Sequence, residues 1–107
     1  MIRVGINGFG RIGRRVFRLL LEQSDIQVVA VNDLADTQTL AHLLKYDSIH
    51  GKLDVQLSNN ETHLVVNDRS IACAHQNHPK SIDWAKYKVD VVVEATGKFK
   101  NKSDLQH

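Results

Sequence analysis

The stretch from Ile2 to Gly13, IRVGINGFGRIG, constrains the fold of this chain more than any other. Gly8, Gly10 and Gly13 follow an alternating apolar run and precede a helical pattern. In a phosphate-binding turn, the first glycine permits a tight turn, the second lets backbone approach a diphosphate, and the third lets the helix pack on the strand. The spacing also fits a plain strand-to-helix turn, so the flanking chain decides between the two.

The segments around these glycines predict a β-α-β unit. Apolar residues alternate with others from Ile2 to Ile6, which is typical of a strand. Helical spacing follows from Arg11 to about Glu22, and a near-continuous apolar run from Ile26 to Val31 indicates a parallel strand covered on both faces. The expected core face of the helix consists of Ile12, Val16, Leu19 and Leu20.

Asp33 follows the second strand, about 20 residues after Gly13, where a dinucleotide-binding unit carries the carboxylate for the adenosine ribose. A right-handed crossover between the two strands brings the end of the second strand beside the glycine turn. A 2′-phosphate there would face Asp33, with Asp36 close in sequence and no arginine following at once. The pattern therefore favours NAD over NADP.

The rest of the chain predicts a second helix, a β-meander and a further parallel strand. Asp36 is a candidate cap for a helix from Thr37 to about Lys45, with Leu40, Leu43 and Leu44 in the core. Period-two patterns around Leu53–Leu57, Leu64–Val66 and Ile71–Ala74 indicate short antiparallel strands inserted in the α/β unit. A short helix is expected over Ile82–Tyr87, a strand beside the first one over Val89–Ala95, and another helix from Ser103.

Composition excludes several classes of function. The 107 residues are 42% hydrophobic and 24% charged, which indicates one soluble domain over residues 1–107. No apolar run reaches the ~20 residues of a membrane span and no signal peptide is recognisable, so a cytoplasmic protein is expected. The net charge of +2 is too small, and too scattered, to predict nucleic-acid binding.

Neither histidine pairing nor the single cysteine predicts a chemical site. His75 and His78 have no Cys-x-x-Cys or carboxylate partner nearby, so we expect no metal site. Cys73 excludes an internal disulfide and lies in an expected strand, where a free cysteine behaves as a small apolar residue.

Four segments together resemble the amino-terminal part of the NAD-binding domain of glyceraldehyde-3-phosphate dehydrogenase, and the resemblance runs through the whole chain. The matching segments are VGINGFGRIGR (Val4 to Arg14), VAVNDL (Val29 to Leu34), LAHLLKYDSIHGKL (Leu40 to Leu53) and VDVVVEATGKF (Val89 to Phe99). It implies a Rossmann-like α/β fold with a mostly parallel, doubly wound sheet that is incomplete at the C-terminal end. It also implies NAD as the cofactor.

The resemblance implies specific contacts with NAD. The glycine turn would line the dinucleotide, Asp33 would hold the adenosine ribose, and Thr96, Gly97 and Phe99 would surround the adenine. Leu34 is similar to the residue of NAD-preferring members. The implied cofactor-binding residues are Asn7, Gly8, Phe9, Gly10, Arg11, Ile12, Gly13, Asp33, Leu34, Asn77, Thr96, Gly97 and Phe99.

Two departures from the family qualify this assignment. Asn77 stands where the family usually has an arginine at the adenine end, in Gln-Asn-His-Pro instead of Glu-Arg-Asp-Pro, so we expect weaker NAD binding. The family's nucleophilic cysteine lies in a Ser-Cys-Thr-Thr-Asn segment that this sequence does not contain, and Cys73 has different neighbours. We therefore expect the catalytic domain to be absent and the chain to bind NAD without completing aldehyde oxidation by itself.

Two alternatives remain open. The first is a non-catalytic nucleotide-binding or interaction module, which would associate with itself or with a full-length subunit through the open edge of the strand Val89–Ala95. The second is the similar erythrose-4-phosphate dehydrogenase. The stretches Asn32–Leu34 and Lys45–Ser48 favour the glyceraldehyde enzyme.

Overall fold

A computed structural model of the chain describes residues 1–46, 56–67, 69–76 and 82–96. The strand residues expected at Leu53 and Val55, and the helix expected from Ser103, lie outside these ranges. In chain order the elements are β1 (Ile2–Asn7), α1 (Arg11–Leu21), β2 (Ile26–Asn32), α2 (Thr37–Tyr46), β3 (Leu57–Asn59), β4 (His63–Val66), β5 (Arg69–Ala74), a 3₁₀ helix (Trp84–Tyr87) and β6 (Val91–Glu94). Neither described α-helix is long and apolar enough to cross a membrane.

The strands form one sheet in the order β3-β4-β5-β2-β1-β6. The pairs β5/β2, β2/β1 and β1/β6 are parallel, whereas β3/β4 and β4/β5 are antiparallel. The sequence prediction of a Rossmann-like, mostly parallel α/β sheet is thereby confirmed. The expected place of the last strand is also confirmed, because β6 pairs with β1 from Val4–Val91 to Asn7–Glu94.

The meander extends the main sheet and is not a separate insertion. Its last strand, β5, pairs antiparallel with β4 and also parallel with β2, where Ala72 to Ala74 face Ala30 to Asn32. The sequence pattern indicated antiparallel strands only, because a period of two does not reveal which neighbour a strand will have on its second side. β5 therefore connects the antiparallel part of the sheet to the parallel part.

The core lies between this sheet and the two α-helices. Val4 and Ile6 on β1 pack with Phe17 of α1 and with Leu40 and Leu44 of α2, and all five side chains are buried. The core faces expected for the two helices are partly wrong, because one isoleucine and two leucines assigned to them are exposed to solvent. The exposed residues are Ile12 at 62%, Leu19 at 60% and Leu43 at 38%.

The rotation of α1 explains two of these errors. A side-chain carbon on Gly13 would collide with the carbonyl oxygen of Gly8, so helix and turn are in direct contact at this point. With Gly13 facing inward, Phe17 four residues later also faces the core, and Ile12 and Leu19 turn outward. A backbone contact thus decides between two apolar stripes that the sequence alone leaves nearly equivalent.

The 3₁₀ helix packs on the other side of β1. A side-chain carbon on Gly5 would overlap the ring of Trp84, so only glycine fits beneath that indole. The Arg3 guanidinium donates hydrogen bonds to the carbonyl oxygens of Lys88 (2.9 Å) and Tyr87 (3.1 Å), which attaches the end of the 3₁₀ helix to the strand. The segment that leads into β6 is therefore held against β1 by contacts other than strand pairing.

Candidate dinucleotide-binding crevice

The carboxyl ends of β2, β1 and β6 meet at one edge of the sheet. The chain leaves β1 through α1 toward β2 on one side, while β6 lies on the other side of β1. Strand order thus reverses at β1, and open α/β sheets bind ligands at such a switch point. The glycine turn after β1 lies between the residues that follow β2 and those that follow β6.

Gly8 requires the conformation and the space of a glycine. Its φ is +97°, and a side-chain carbon there would lie 2.7 Å from the backbone nitrogen of Thr96. Its amide donates a 2.7 Å hydrogen bond to the carbonyl oxygen of Asn32 at the end of β2. The turn is therefore in contact with both neighbouring strand ends.

Gly10 differs from the other two glycines because the space above it is open. No atom lies within 4 Å of a side-chain carbon built on Gly10, whereas a carbon on Gly13 meets the Gly8 carbonyl oxygen. Gly10 is exposed and is the N-cap residue of α1, and no side chain caps that helix end. The amides of the first turn can therefore receive an anion, which the helix dipole favours.

The arginines of α1 have distinct surroundings. Arg11 is exposed in the first turn, which contains no acidic residue. Arg14 donates a 3.0 Å hydrogen bond from Nη1 to the carbonyl oxygen of Phe9 and so holds the glycine turn. Arg18 donates from Nη2 to the carbonyl oxygen of Leu44 (3.0 Å) in the last turn of α2, where a cation is favourable. Arg14 and Arg18 therefore have structural contacts, and Arg11 remains at the open helix end.

Asp33 is held in place by two backbone amides. Its Oδ2 accepts a 2.8 Å hydrogen bond from the amide of Phe9, and its Oδ1 accepts a 3.1 Å bond from the amide of Ala35. A carboxylate has about four acceptor positions, so each oxygen keeps one for another donor. Two neighbouring hydroxyls of a ribose match this remaining capacity.

His75 was not singled out as a site residue by the sequence, yet it supports the corner that carries Asp33. One ring nitrogen, Nδ1, lies 3.0 Å from the Asp33 carbonyl oxygen, and Nε2 lies 3.3 Å from the buried hydroxyl of Thr37. Thr37 also donates to the carbonyl oxygen of Glu61 (2.9 Å). The start of α2 is thereby tied both to β5 and to the turn before β4.

A chain of polar side chains connects the strand ends, and the sequence reasoning missed most of it. Asn32 bonds to the backbone of Gln76 and to the side chain of Asn7, which in turn donates to Glu94. Thr96 donates its hydroxyl hydrogen to the same carboxylate. The only signal in the sequence is a polar residue at the end of an apolar run, namely Asn32 after VVAV and Glu94 after VVV.

The structure brings together nine of the thirteen residues implied by the resemblance, with different side-chain exposure. Phe9 has its ring buried against Phe17, with ring centroids 5.6 Å apart, so only its backbone borders the crevice. Leu34, the tenth, is 66% exposed beside Asp33. Asn77, Gly97 and Phe99 lie outside the described residues. The nine are Asn7, Gly8, Phe9, Gly10, Arg11, Ile12, Gly13, Asp33 and Thr96.

Two groups near this edge have shifted acidity. The backbone amide of Thr39, which donates to Asp36, holds the pKa of that carboxyl below its usual value. Burial raises the pKa of the Cys73 thiol, so the thiolate is disfavoured. Within the described ranges, no three His, Cys, Asp or Glu side chains are grouped as metal ligands.

Comparison with known proteins agrees with this geometry. The family described as glyceraldehyde 3-phosphate dehydrogenase, NAD binding domain, matches residues 2–102. Glyceraldehyde-3-phosphate dehydrogenase of Geobacillus stearothermophilus is 55% identical over 103 residues, which cover 96% of this chain and 31% of that protein. Glyceraldehyde-3-phosphate dehydrogenase 1 of Bacillus cereus is 53% identical over 106 residues, which cover 99% of this chain and 32% of that protein.

The similarity extends beyond these genera. Glyceraldehyde-3-phosphate dehydrogenase of Streptomyces coelicolor is 53% identical over 106 residues, covering 98% of this chain and 32% of that protein. The chain thus spans about a third of the length of the curated relatives it matches. Because the family matches nearly all residues of this chain, the chain belongs to the family of glyceraldehyde 3-phosphate dehydrogenase NAD-binding domains.

Proposed function

We propose that this chain holds the adenosine diphosphate half of NAD for a glyceraldehyde-3-phosphate dehydrogenase. In the reaction of that enzyme, the aldehyde is oxidised and a hydride passes to the nicotinamide of NAD. The observation that carries the proposal is the pairing of an open helix N-terminus at Gly10 with the fixed carboxylate of Asp33 beside the same turn. The first suits a diphosphate and the second a ribose, so the two fit adjacent parts of one ligand.

Each site residue has a proposed role. The backbone of the glycine turn and the exposed Arg11 and Ile12 line the diphosphate, and Asp33 accepts hydrogen bonds from the ribose hydroxyls. Thr96, with Gly97 and Phe99, borders the adenine. Leu34 covers the outer side of the ribose, supported by its 66% exposure beside Asp33.

We propose that the 107-residue chain binds NAD as one domain and does not turn over substrate by itself. Its single cysteine, Cys73, is buried in β5, and its raised pKa disfavours the nucleophilic thiolate. A turnover assay with glyceraldehyde 3-phosphate, phosphate and NAD should therefore be blank. A free buried thiol also suits the reducing cytoplasm, where we place the protein's glycolytic role.

We propose glyceraldehyde 3-phosphate, not erythrose 4-phosphate, as the substrate of the whole enzyme. The three relatives described above are all named for glyceraldehyde 3-phosphate. Steady-state rates of the whole enzyme with the two aldehydes would test this, and a higher kcat/KM for erythrose 4-phosphate would reverse the assignment.

We propose that the edge of β6 associates with another strand, from a second copy of the chain or from a full-length subunit. Among the described residues β6 pairs with β1 alone, and Val91 and Val92 on it are 50% and 40% exposed. A partly apolar strand with one free edge favours such pairing. Sedimentation velocity should show a dimer that Val92→Lys weakens, whereas a monomer at every concentration, alone and mixed with the full-length enzyme, would contradict the proposal.

Calorimetric titration with parts of the cofactor tests the central proposal. NAD and ADP-ribose should bind the chain with similar affinity, because both contain the adenosine diphosphate half. Nicotinamide mononucleotide, which lacks that half, should not bind. A folded chain that binds neither NAD nor ADP-ribose would refute the proposed function.

A further inference from the structure

The side-chain amides of Asn32 and Asn7 join the strand ends through hydrogen bonds of defined direction. The amide of Gln76 donates to Oδ1 of Asn32 (3.0 Å), so the Asn32 Nδ2 group faces the other way. That nitrogen donates to the carbonyl oxygen of Gln76 (2.9 Å) and to Oδ1 of Asn7 (3.0 Å). Asn7 is only 3% exposed and its oxygen is occupied, so its Nδ2 group needs an acceptor.

Glu94 supplies that acceptor and a second one. Its Oε2 accepts a 2.9 Å hydrogen bond from Nδ2 of Asn7, and its Oε1 accepts a 2.7 Å hydrogen bond from the Thr96 hydroxyl. Thr96 lies against Gly8, the residue that follows Asn7. The Glu94 carboxylate thus bonds both to Asn7, which precedes the glycine turn, and to Thr96, which follows β6.

We propose that Glu94 is a positioning residue for NAD binding, which acts by fixing Thr96 against the glycine turn. This inference rests on the proposed function, since the fixed wall serves the adenosine half of the cofactor. Glu94 is itself exposed, and it contributes through Asn7 and Thr96. Loss of the Glu94 carboxylate removes one hydrogen bond from Thr96 and one from Asn7, so Thr96 is held less firmly against the turn.

The sign of the effect separates this role from a simple charge effect. A carboxylate close to a diphosphate site repels the ligand, so removing a mere surface charge would strengthen NAD binding. Removing a positioning residue has the opposite result. Glu94→Ala and Glu94→Gln remove the same charge, so a difference in NAD affinity between them does not come from charge.

Glutamine is the rescuing replacement because the network admits it. The amide oxygen of a glutamine can accept from Asn7, and its nitrogen can donate to the Thr96 hydroxyl, which accepts as well as donates. Alanine preserves neither bond. The matched control is Glu22→Ala, which removes an exposed carboxylate at the C-terminal cap of α1, the far end from the turn.

Calorimetric titration of the 107-residue chain with NAD tests the proposal, with the fluorescence of Trp84 reporting folding. We expect Glu94→Ala to weaken NAD binding roughly tenfold, the factor that loss of both hydrogen bonds gives at the lower end of their usual strength. Glu94→Gln should restore the affinity to within about threefold of the wild type. Glu22→Ala should bind as the wild type does.

The contrary outcomes are distinct. Equal weakening by Glu94→Ala and Glu94→Gln, or tighter binding by both, overturns the positioning role while the wild type still binds NAD. A folded wild type that does not bind NAD overturns the proposed function, and the positioning role falls with it. If Glu94→Ala fails to fold, Thr96→Val takes its place, and unchanged NAD affinity in Thr96→Val then overturns the proposal.

Discussion

The backbone amide of Phe9 donates a 2.8 Å hydrogen bond to the Asp33 carboxylate. The carboxylate proposed to receive the ribose therefore also holds the glycine turn that would receive the diphosphate. We therefore expect removal of this carboxylate to affect both stability and NAD affinity.

Asp33→Ala should lower both quantities. The amides of Phe9 and Ala35 lose their acceptor, which costs about 1–3 kcal/mol of unfolding free energy, measured by urea denaturation. Because the ribose hydroxyls also lose their acceptor, NAD affinity should fall at least about tenfold by calorimetry. Asp25→Ala, which removes an exposed carboxylate before β2, is the control. Unchanged NAD affinity in Asp33→Ala would contradict the ribose role.

Two glycine substitutions should separate folding from binding. Gly13→Ala places a carbon against the Gly8 carbonyl oxygen and should destabilise the chain by about 3 kcal/mol. Gly10→Ala meets no atom of the protein and should cost only roughly 0.5–1 kcal/mol, the penalty of alanine at an N-cap. Gly10→Ala should nevertheless weaken NAD binding, because its methyl group occupies the space proposed for the diphosphate.

The fluorescence of Trp84, the single tryptophan, follows unfolding in both variants because its ring packs on Gly5 of β1. Calorimetry with NAD gives the binding constants. A Gly10→Ala variant with wild-type NAD affinity would place the diphosphate elsewhere.

Asp36 should make stability depend on pH in the acid range. Its Oδ1 accepts a hydrogen bond from the amide of Thr39 at 2.7 Å, and this bond lowers the pKa of the folded carboxyl below its usual value. The carboxylate therefore stabilises the folded chain above that value, and its contribution is lost as the pH falls through the lowered pKa. Asp36→Asn keeps an N-cap acceptor but does not titrate. The difference in Tm between about pH 6 and about pH 3 should be smaller in Asp36→Asn, and an equal difference would assign the acid sensitivity to other carboxyls.

Asn77→Arg should strengthen NAD binding. The resemblance implies an arginine at this position, which would contribute a cation and a longer reach at the adenine end. Asn77→Gln adds length without charge and serves as the control. Calorimetry should show a gain in affinity for Asn77→Arg only, and no gain would mean that the asparagine does not limit binding.

Sequence patterns predicted the strands and the order of the elements, but not the rotation of α1. Its apolar residues support two neighbouring stripes, one through Ile12 and Leu19 and one through Gly13 and Phe17. The contact of Gly13 with Gly8 selects the second. Such a backbone contact depends on how a helix sits on a strand, which a period of 3.6 residues does not contain.

The candidate site divides in a similar way. That Asp33 lies beside the glycine turn was predictable, because the spacing of these residues along the chain reflects the shape of one β-α-β unit. The roles of Glu94 and Asn32 were not, because both bond to Asn7 of β1, which is distant from each of them in sequence. Only the order β5-β2-β1-β6 and its register place Asn7 between them.

The pairing of β1 with β6 bears on how this chain becomes able to bind during its synthesis. Asn7 and Glu94 are 87 residues apart, yet they are neighbours across the sheet. The turn, α1 and β2 are made early and can associate locally, while contacts between distant segments form late. A nascent chain therefore contains the glycine turn and Asp33 before it contains Glu94 and Thr96, so the proposed adenine side of the crevice forms only after β6 has joined β1.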